Sequence, residues 1–212
     1  MKKKPIVGII DTGTSNIRSV FYALKESGAE IKQIKNSEEY SHIDGLVVPG
    51  IGSFGYVMER LKINKLDKII LKVLEQKKPS FFICVGMQIL FTESNELGKN
   101  YGLKIFNGKV EKIKNEKIRD QSRKVPFIGW NKLIKKNYCE ILKNVQIDDF
   151  FFFTHSYFVS PANKKLISTS TDYLDFKYCS SISYDKIFAT QFHPEKSGDA
   201  GVQIYKNFVN LI

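Results

Sequence analysis

A chain of 212 residues and 24.4 kDa, 42% hydrophobic and 26% charged, is long enough to bury a substantial core, which excludes a peptide hormone, a fibre or a disordered main state. Its formal net charge of +11 comes from 29 lysines and only four arginines, spread along the whole chain. Reading of bases and phosphates favours planar arginines gathered in a patch, so nucleic acid is not the expected partner.

The elements follow in chain order. Lys2, Lys3 and Lys4 precede residues 5–10 (PIVGII), an apolar run too short for a signal sequence, which reads as a buried parallel strand. A turn-rich stretch, 11–16, follows. From Ser15 the residues Ile17, Val20, Phe21 and Leu24 recur at helical spacing until Gly28 stops them. Residues 31–34 and 46–48 are two further strands, a long helical pattern runs from about 57 to 76, and 81–83 (FFI) is the next apolar strand. Another helix is predicted to begin near Gly86 and to carry Met87, Ile89, Leu90 and Phe91. Strands alternating with helices imply a wound, mostly parallel α/β sheet.

Beyond Gly102 the pattern changes to alternation at Val110 and Ile113, then 125–133, then 150–159, with few helical periods. This part is expected to be β-rich and at least partly antiparallel. Val202, Tyr205, Phe208 and Val209 close the chain at helical spacing. No repeat, Pro- or Ser-rich linker or low-complexity tract divides the sequence, so residues 1–212 are expected to form one domain. No run approaches the roughly 20 apolar residues of a membrane span, and a cytoplasmic setting without membrane contact is expected.

Three stretches carry chemistry. Cys84 ends an apolar strand and is followed by Val85-Gly86 and a predicted helix. A thiol on such a turn is exposed like a nucleophile elbow, although a lone cysteine there is more often inert core. The other cysteines, Cys139 and Cys179, complete no CxxC spacing, which argues against a disulfide framework and a zinc site; no metal or cofactor is expected. Gln191-Phe192-His193-Pro194-Glu195 follows the strand 187–190, and a His with a carboxylate two residues on supplies a base and its orienting group. By itself that motif also reads as a surface turn. Pro49-Gly50-Ile51-Gly52 follows the strand 46–48; its glycines let amide N–H groups approach a ligand, as an oxyanion hole requires, or simply turn the chain.

Gly50-Ile51-Gly52, Cys84-Val85-Gly86-Met87-Gln88 and Gln191-Phe192-His193-Pro194-Glu195-Lys196-Ser197-Gly198, in this order, resemble the class I (triad) glutamine amidotransferases. Asn16, Pro126-Phe127-Ile128-Gly129-Trp130-Asn131 and Phe153-Thr154-His155-Ser156-Tyr157 resemble, within that class, the glutaminase subunits of imidazole glycerol phosphate synthase. The resemblance implies a flavodoxin-like fold and makes Cys84 the nucleophile, His193 its base and Glu195 the orienting carboxylate. It places Gly50, Ile51, Gly52 and Val85 at the oxyanion site, the donor being the amide of Ile51 or Val85, and Gln88 and Glu96 on the glutamine backbone groups. It also implies a heterodimer with a (β/α)₈ cyclase subunit, which receives ammonia and makes imidazole glycerol phosphate and an aminoimidazole carboxamide ribotide. Asn16, Trp130 and Lys196 match positions used at that interface; Lys196 would belong to a basic face for an acidic barrel rim. His155 reads as a satisfied structural histidine and His42 as a surface residue.

Two departures stand out. Phe82 occupies a position where the family usually has glycine, two residues before the nucleophile, and is expected to crowd the elbow. In the loop 11–16, Thr12 and Ser15 stand where an aromatic and a glycine are common. The loop should face the cyclase, so a diverged partner is an alternative, as in paralogues that supply ammonia for amidine formation on surface-polysaccharide sugars.

Overall fold

The computed structural model of the chain describes residues 3–13, 16–118, 121–146 and 148–212, so Ser15 of the divergent loop lies outside the described residues. Its first part alternates strand and helix as the apolar spacing predicts: β1 (Ile6–Ile10), α1 (Ile17–Glu26), β2 (Glu30–Ile34), β3 (Gly45–Gly50), α2 (Phe54–Ile63), α3 (Leu66–Glu75), β4 (Ser80–Cys84) and α4 (Val85–Gln88). The β-rich part comprises β5 (Phe91–Ser94), β6 (Asn100–Tyr101), β7 (Phe106–Lys112), β8 (Lys117–Ile118), β9 (Gln121–Ser122), β10 (Phe127–Lys132) and β11 (Ile134–Lys135). It continues with β12 (Phe150–His155), β13 (Tyr157–Pro161), β14 (Ile167–Tyr173), β15 (Phe176–Tyr184) and β16 (Ile187–Thr190), before the closing helix α5 (Gly198–Asn210).

The main sheet has the order β11-β14-β15-β16-β4-β3-β1-β2. Neighbours from β2 through β1, β3 and β4 to β16 pair in parallel, whereas β15, β14 and β11 are antiparallel. This is the wound sheet with an antiparallel extension that the two halves of the sequence predict. Every residue of β3 and β4 is buried, as strands covered on both faces require. The chain runs outward from β1 to β2 on one side and from β3 to β4 on the other, so right-handed crossovers put α1 and the α2–α3 pair on opposite faces. α1 packs with α5, and α2 with α3.

Register then determines what lies together at the carboxyl edge of the sheet. Gly50 stands opposite Cys84, and Thr190 opposite Ile83, so three loops that carry chemistry leave adjacent parallel strands at one level. Ligand sites of wound sheets form at this edge.

Three expectations are corrected. The helix expected over 57–76 is two helices, because Lys65 turns left-handed at φ 55° and the Asn64 side chain takes the carbonyl of Arg60 at 3.0 Å. Each half buries its own apolar face. The helix expected to carry Met87 through Phe91 ends at Gln88. The carbonyls of Ile89 and Leu90 accept instead from Leu103, Ile105 and Phe106, which draws Phe91 into β5. The run 150–159 divides at Ser156, β12 pairing with β10 and β13 with β7.

Candidate active site

Cys84 closes β4 with φ 56° and ψ −110°, a conformation a side chain adopts only under strain of about 1–3 kcal/mol. Its neighbours leave it no other course. A Cβ on Gly86 would stand 2.0 Å from the carbonyl oxygen of Val48, and one on Gly50 would stand 2.8 Å from the Gly86 nitrogen. Glycine at both positions therefore lets the end of β3 press against the first turn of α4 and hold the thiol forward. Phe82 does not prevent this. Its ring is fully buried, its backbone lies between Val48 and Ala189, and its Cβ is an ordinary 3.8 Å from where a Gly86 Cβ would stand.

His193 is fixed through its backbone. Its N–H donates to the carbonyl of Phe152 at 2.9 Å, and its own carbonyl accepts from the Ser197 hydroxyl at 2.6 Å. The same Ser197 oxygen accepts from the Phe152 N–H at 3.1 Å, so one hydroxyl ties the histidine turn to β12. Glu195 Oε1 lies 2.7 Å from His193 Nδ1, with both side chains 2% exposed. A carboxylate oxygen only accepts, so Nδ1 carries the proton and Nε2 is left for the thiol. Nε2 is buried and makes no hydrogen bond. Burial opposes a charge on this ring, but the negative charge of an ionised Cys84 and the Glu195 carboxylate outweigh it and raise the His193 pKa to about 10. The cluster favours a proton on the imidazole.

A small cavity of about 100 Å³ opens over the thiol, lined among others by Ile51, Val85, Gln88, Glu96, Tyr157 and His193. Gly52 also lines it with φ 112°, a conformation that favours glycine, whereas Gly50, expected at the same site, is not among its lining residues. The Gln88 amide nitrogen donates to the Tyr157 carbonyl at 2.9 Å and to Gln191 Oε1 at 3.1 Å. Gln191 Nε2 in turn lies 3.6 Å from Cys84 Sγ. Glu96 Oε2 takes the Phe54 N–H at 2.6 Å, which ties the cavity wall to the start of α2.

His155 also lines this cavity and is buried. Its Nδ1 faces the Tyr157 carbonyl at 2.9 Å, an acceptor, so Nδ1 is protonated and Nε2 accepts from the Tyr178 hydroxyl at 3.2 Å. Burial, with a smaller push from His193, lowers its pKa to about 4 against the raising effect of the Tyr157 carbonyl. His155 is a neutral structural histidine. His42 is exposed and pairs with Asp44 at 2.9 Å.

The residues expected at a partner interface lie outside the cavity. Trp130 is 53% exposed, its ring 5.7 Å edge-on from that of Phe152, and Lys196 Nζ stands 5.5 Å over the same Phe152 ring. Asn16 occupies the N-cap position of α1 without a side-chain cap bond, and α1 packs against the turn Pro194–Lys196. Sequence reasoning did not single out Gln191, Ser197 or the Tyr157 carbonyl. The first two sit inside the quoted histidine motif, where only their spacing from His193 marks them; a backbone carbonyl leaves no trace in sequence. Among the described residues no His, Cys, Asp and Glu cluster could hold a metal, and no helix is long and apolar enough to cross a membrane.

A thiol and a base lining one small cavity, with a carboxylate bonded to the base, are the parts of nucleophilic acyl transfer. Residues 8–211 match the family described as glutamine amidotransferase class-I. The imidazole glycerol phosphate synthase subunit HisH of Chlorobaculum tepidum is 37% identical over 209 residues, covering 97% of this chain and all of that protein. The subunit of the same name from Methanocaldococcus jannaschii is 39% identical over 207 residues, covering 98% and 100%. Among solved structures, PurLQS from Thermotoga maritima superposes with a TM-score of 0.75 at 17% identity over 99% of both chains. A structure described as a glutamine amidotransferase gives 0.72 at 17% identity over 97% and 99%.

Proposed function

The chain belongs to the class I glutamine amidotransferases, and from that premise we propose that it is the glutaminase subunit of an imidazole glycerol phosphate synthase. It hydrolyses glutamine to glutamate and ammonia and delivers the ammonia to a (β/α)₈ cyclase subunit, which makes imidazole glycerol phosphate and the aminoimidazole carboxamide ribotide. The observation that carries the chemistry is the 2.7 Å contact between His193 and Glu195 behind a cysteine held at φ 56°. Identity of 37–39% over nearly the full length to subunits of that synthase carries the substrate and the pathway.

In the reaction, Cys84 Sγ attacks the side-chain amide carbon of glutamine while His193 Nε2 holds the thiol proton. The amide of Ile51 or of Val85 stabilises the oxyanion of the tetrahedral intermediate. His193 gives its proton to the amide nitrogen, the C–N bond breaks and ammonia leaves, with Cys84 as a glutamyl thioester. Water, deprotonated by His193, then attacks the thioester carbon; the C–S bond breaks, glutamate departs and the thiol recovers its proton. Glu195 keeps the imidazole in one tautomer and balances its charge throughout. Gln88 and Glu96 hold the backbone groups of glutamine.

The full reaction takes place in a heterodimer in the cytoplasm, with residues 1–212 as a single amidotransferase domain. Trp130, Asn16 and Lys196 form the docking face. An exposed tryptophan flanked by polar side chains is a common interface anchor. The test is glutamine hydrolysis by the chain mixed with its barrel subunit. Cys84→Ala is expected to lower the partner-stimulated rate by roughly 10³-fold or more; an unchanged rate overturns the mechanism. Rescue of a histidine auxotroph by the pair is expected, and failure with both subunits soluble and folded overturns the pathway assignment in favour of the surface-sugar alternative.

A further inference from the structure

Two buried polar atoms beside the triad have no hydrogen-bond partner, Glu195 Oε2 and the Tyr205 hydroxyl. They are complementary, since a carboxylate oxygen accepts and a phenol donates. The backbone brings the helix of Tyr205 against the turn that carries Glu195. At Gly201 the helix α5 lies so close to the histidine turn that a Cβ would stand 1.8 Å from the Pro194 carbonyl oxygen. Tyr205 follows one helical turn later on the same face. Its side chain is fully buried, and its ring meets Phe81 of β4 edge-on at 5.8 Å. Burial, and then the charge of Glu195, push the Tyr205 pKa well above that of a free phenol, so the hydroxyl keeps its proton and can only serve Glu195 as a donor.

Packing alone does not account for the oxygen. A phenylalanine would make the same contact with Phe81, whereas a buried hydroxyl left unpaired costs about 1–3 kcal/mol. We propose that Tyr205 is a positioning residue of the triad: its hydroxyl donates to Glu195 Oε2 and so holds the carboxylate whose Oε1 grips His193 Nδ1. The triad thereby extends through α5, which ties its geometry to the seating of the last helix. The proposal rests on the reading of Glu195 as the orienting carboxylate.

The experiment is a double-mutant cycle on the complex with the barrel subunit, measuring kcat and KM for glutamine in wild type, Tyr205→Phe, Glu195→Gln and the double variant. Tyr205→Phe is expected to lower kcat by about 3- to 20-fold with KM changed less than about twofold, and to cause no further loss when Glu195 is already glutamine. Tyr205→Met, a second core-filling side chain without a hydroxyl, is expected to show the same split. If both hydroxyl-free variants keep the wild-type kcat while Glu195→Gln is strongly impaired, Tyr205 has no such role. The proposal also falls if Tyr205→Phe costs the double variant as much as it costs wild type, because the hydroxyl then acts elsewhere. Glu195→Gln at the wild-type rate would remove the triad reading itself.

Discussion

Acidification should weaken this fold through one histidine. His155 is fully enclosed and neutral, with its pKa lowered to about 4 from an ordinary 6.5, chiefly by burial. A group with a depressed folded pKa contributes stability that is complete above the unfolded value and is lost as pH falls towards the folded one, here from about 6.5 to about 4. The full difference corresponds to about 3 kcal/mol, of which about 2 kcal/mol should disappear between pH 7 and pH 5. His193 works in the opposite sense. Its pKa is raised to about 10, so its contribution is complete below pH 6.5 and fades as pH rises towards 10. Comparing wild type with His155→Gln cancels that second contribution, because both proteins keep His193. Glutamine retains a donor for the Tyr157 carbonyl and an acceptor for the Tyr178 hydroxyl, so the variant should fold while losing the titration. Urea unfolding at half-unit steps from pH 7.5 to 4.5 reads the difference. The wild-type free energy should fall more steeply by about 2 kcal/mol between pH 7 and 5; parallel profiles refute the assignment of His155 as a buried neutral group.

The elbow makes a second prediction, since Gly86→Ala would put a methyl 2.0 Å from the Val48 carbonyl, a backbone atom that cannot rotate away. Roughly 3 kcal/mol or more of stability should be lost along with activity, and an unchanged urea midpoint contradicts the geometry. Trp130→Ala should leave the thermal midpoint of the isolated chain within a few degrees while raising the Kd for the barrel subunit about tenfold or more, by calorimetric titration. Unchanged affinity would mean that the exposed indole faces something else. Cys139 and Cys179 should escape alkylation in the folded protein, because burial raises both thiols. A glutamine-shaped electrophile should add once, at Cys84, and a second adduct by mass spectrometry defeats that expectation.

How much of the fold was legible depended on where each segment found its partners. The parallel strands β1, β3 and β4 are largely buried, so their apolar runs could hardly be misread, and α1 and α3 are strongly amphipathic. The misreadings fall where distant backbone decided the outcome. Met87 to Phe91 has helical spacing, yet residues 103 to 106 take the Ile89 and Leu90 carbonyls and convert the end of that run to strand. The pattern of 57–76 continues through Lys65 without a glycine or proline to mark the break. Only the separate burial of two faces, and one left-handed residue, divides it.

The candidate site divides along the same line. Cys84, His193 and Glu195 are legible because each sits in a short motif at a strand end, where sheet topology leaves few places for a side chain to point. The supports are not legible, because they act through atoms that every residue type shares or through side chains that look like core. Phe152 serves His193 through its backbone on both sides, and any residue could supply those two groups. Phe82 breaks the expected glycine pattern and leaves the elbow standing, since the close approaches are those of Gly86 to the Val48 carbonyl and of Gly50 to Gly86, and the Phe82 Cβ keeps an ordinary distance from Gly86. Tyr205 appears in sequence as one more apolar position of an amphipathic helix. Only the missing Cβ at Gly201, which seats that helix on the Pro194 carbonyl, marks its buried hydroxyl as facing the turn of Glu195 and not merely filling the core.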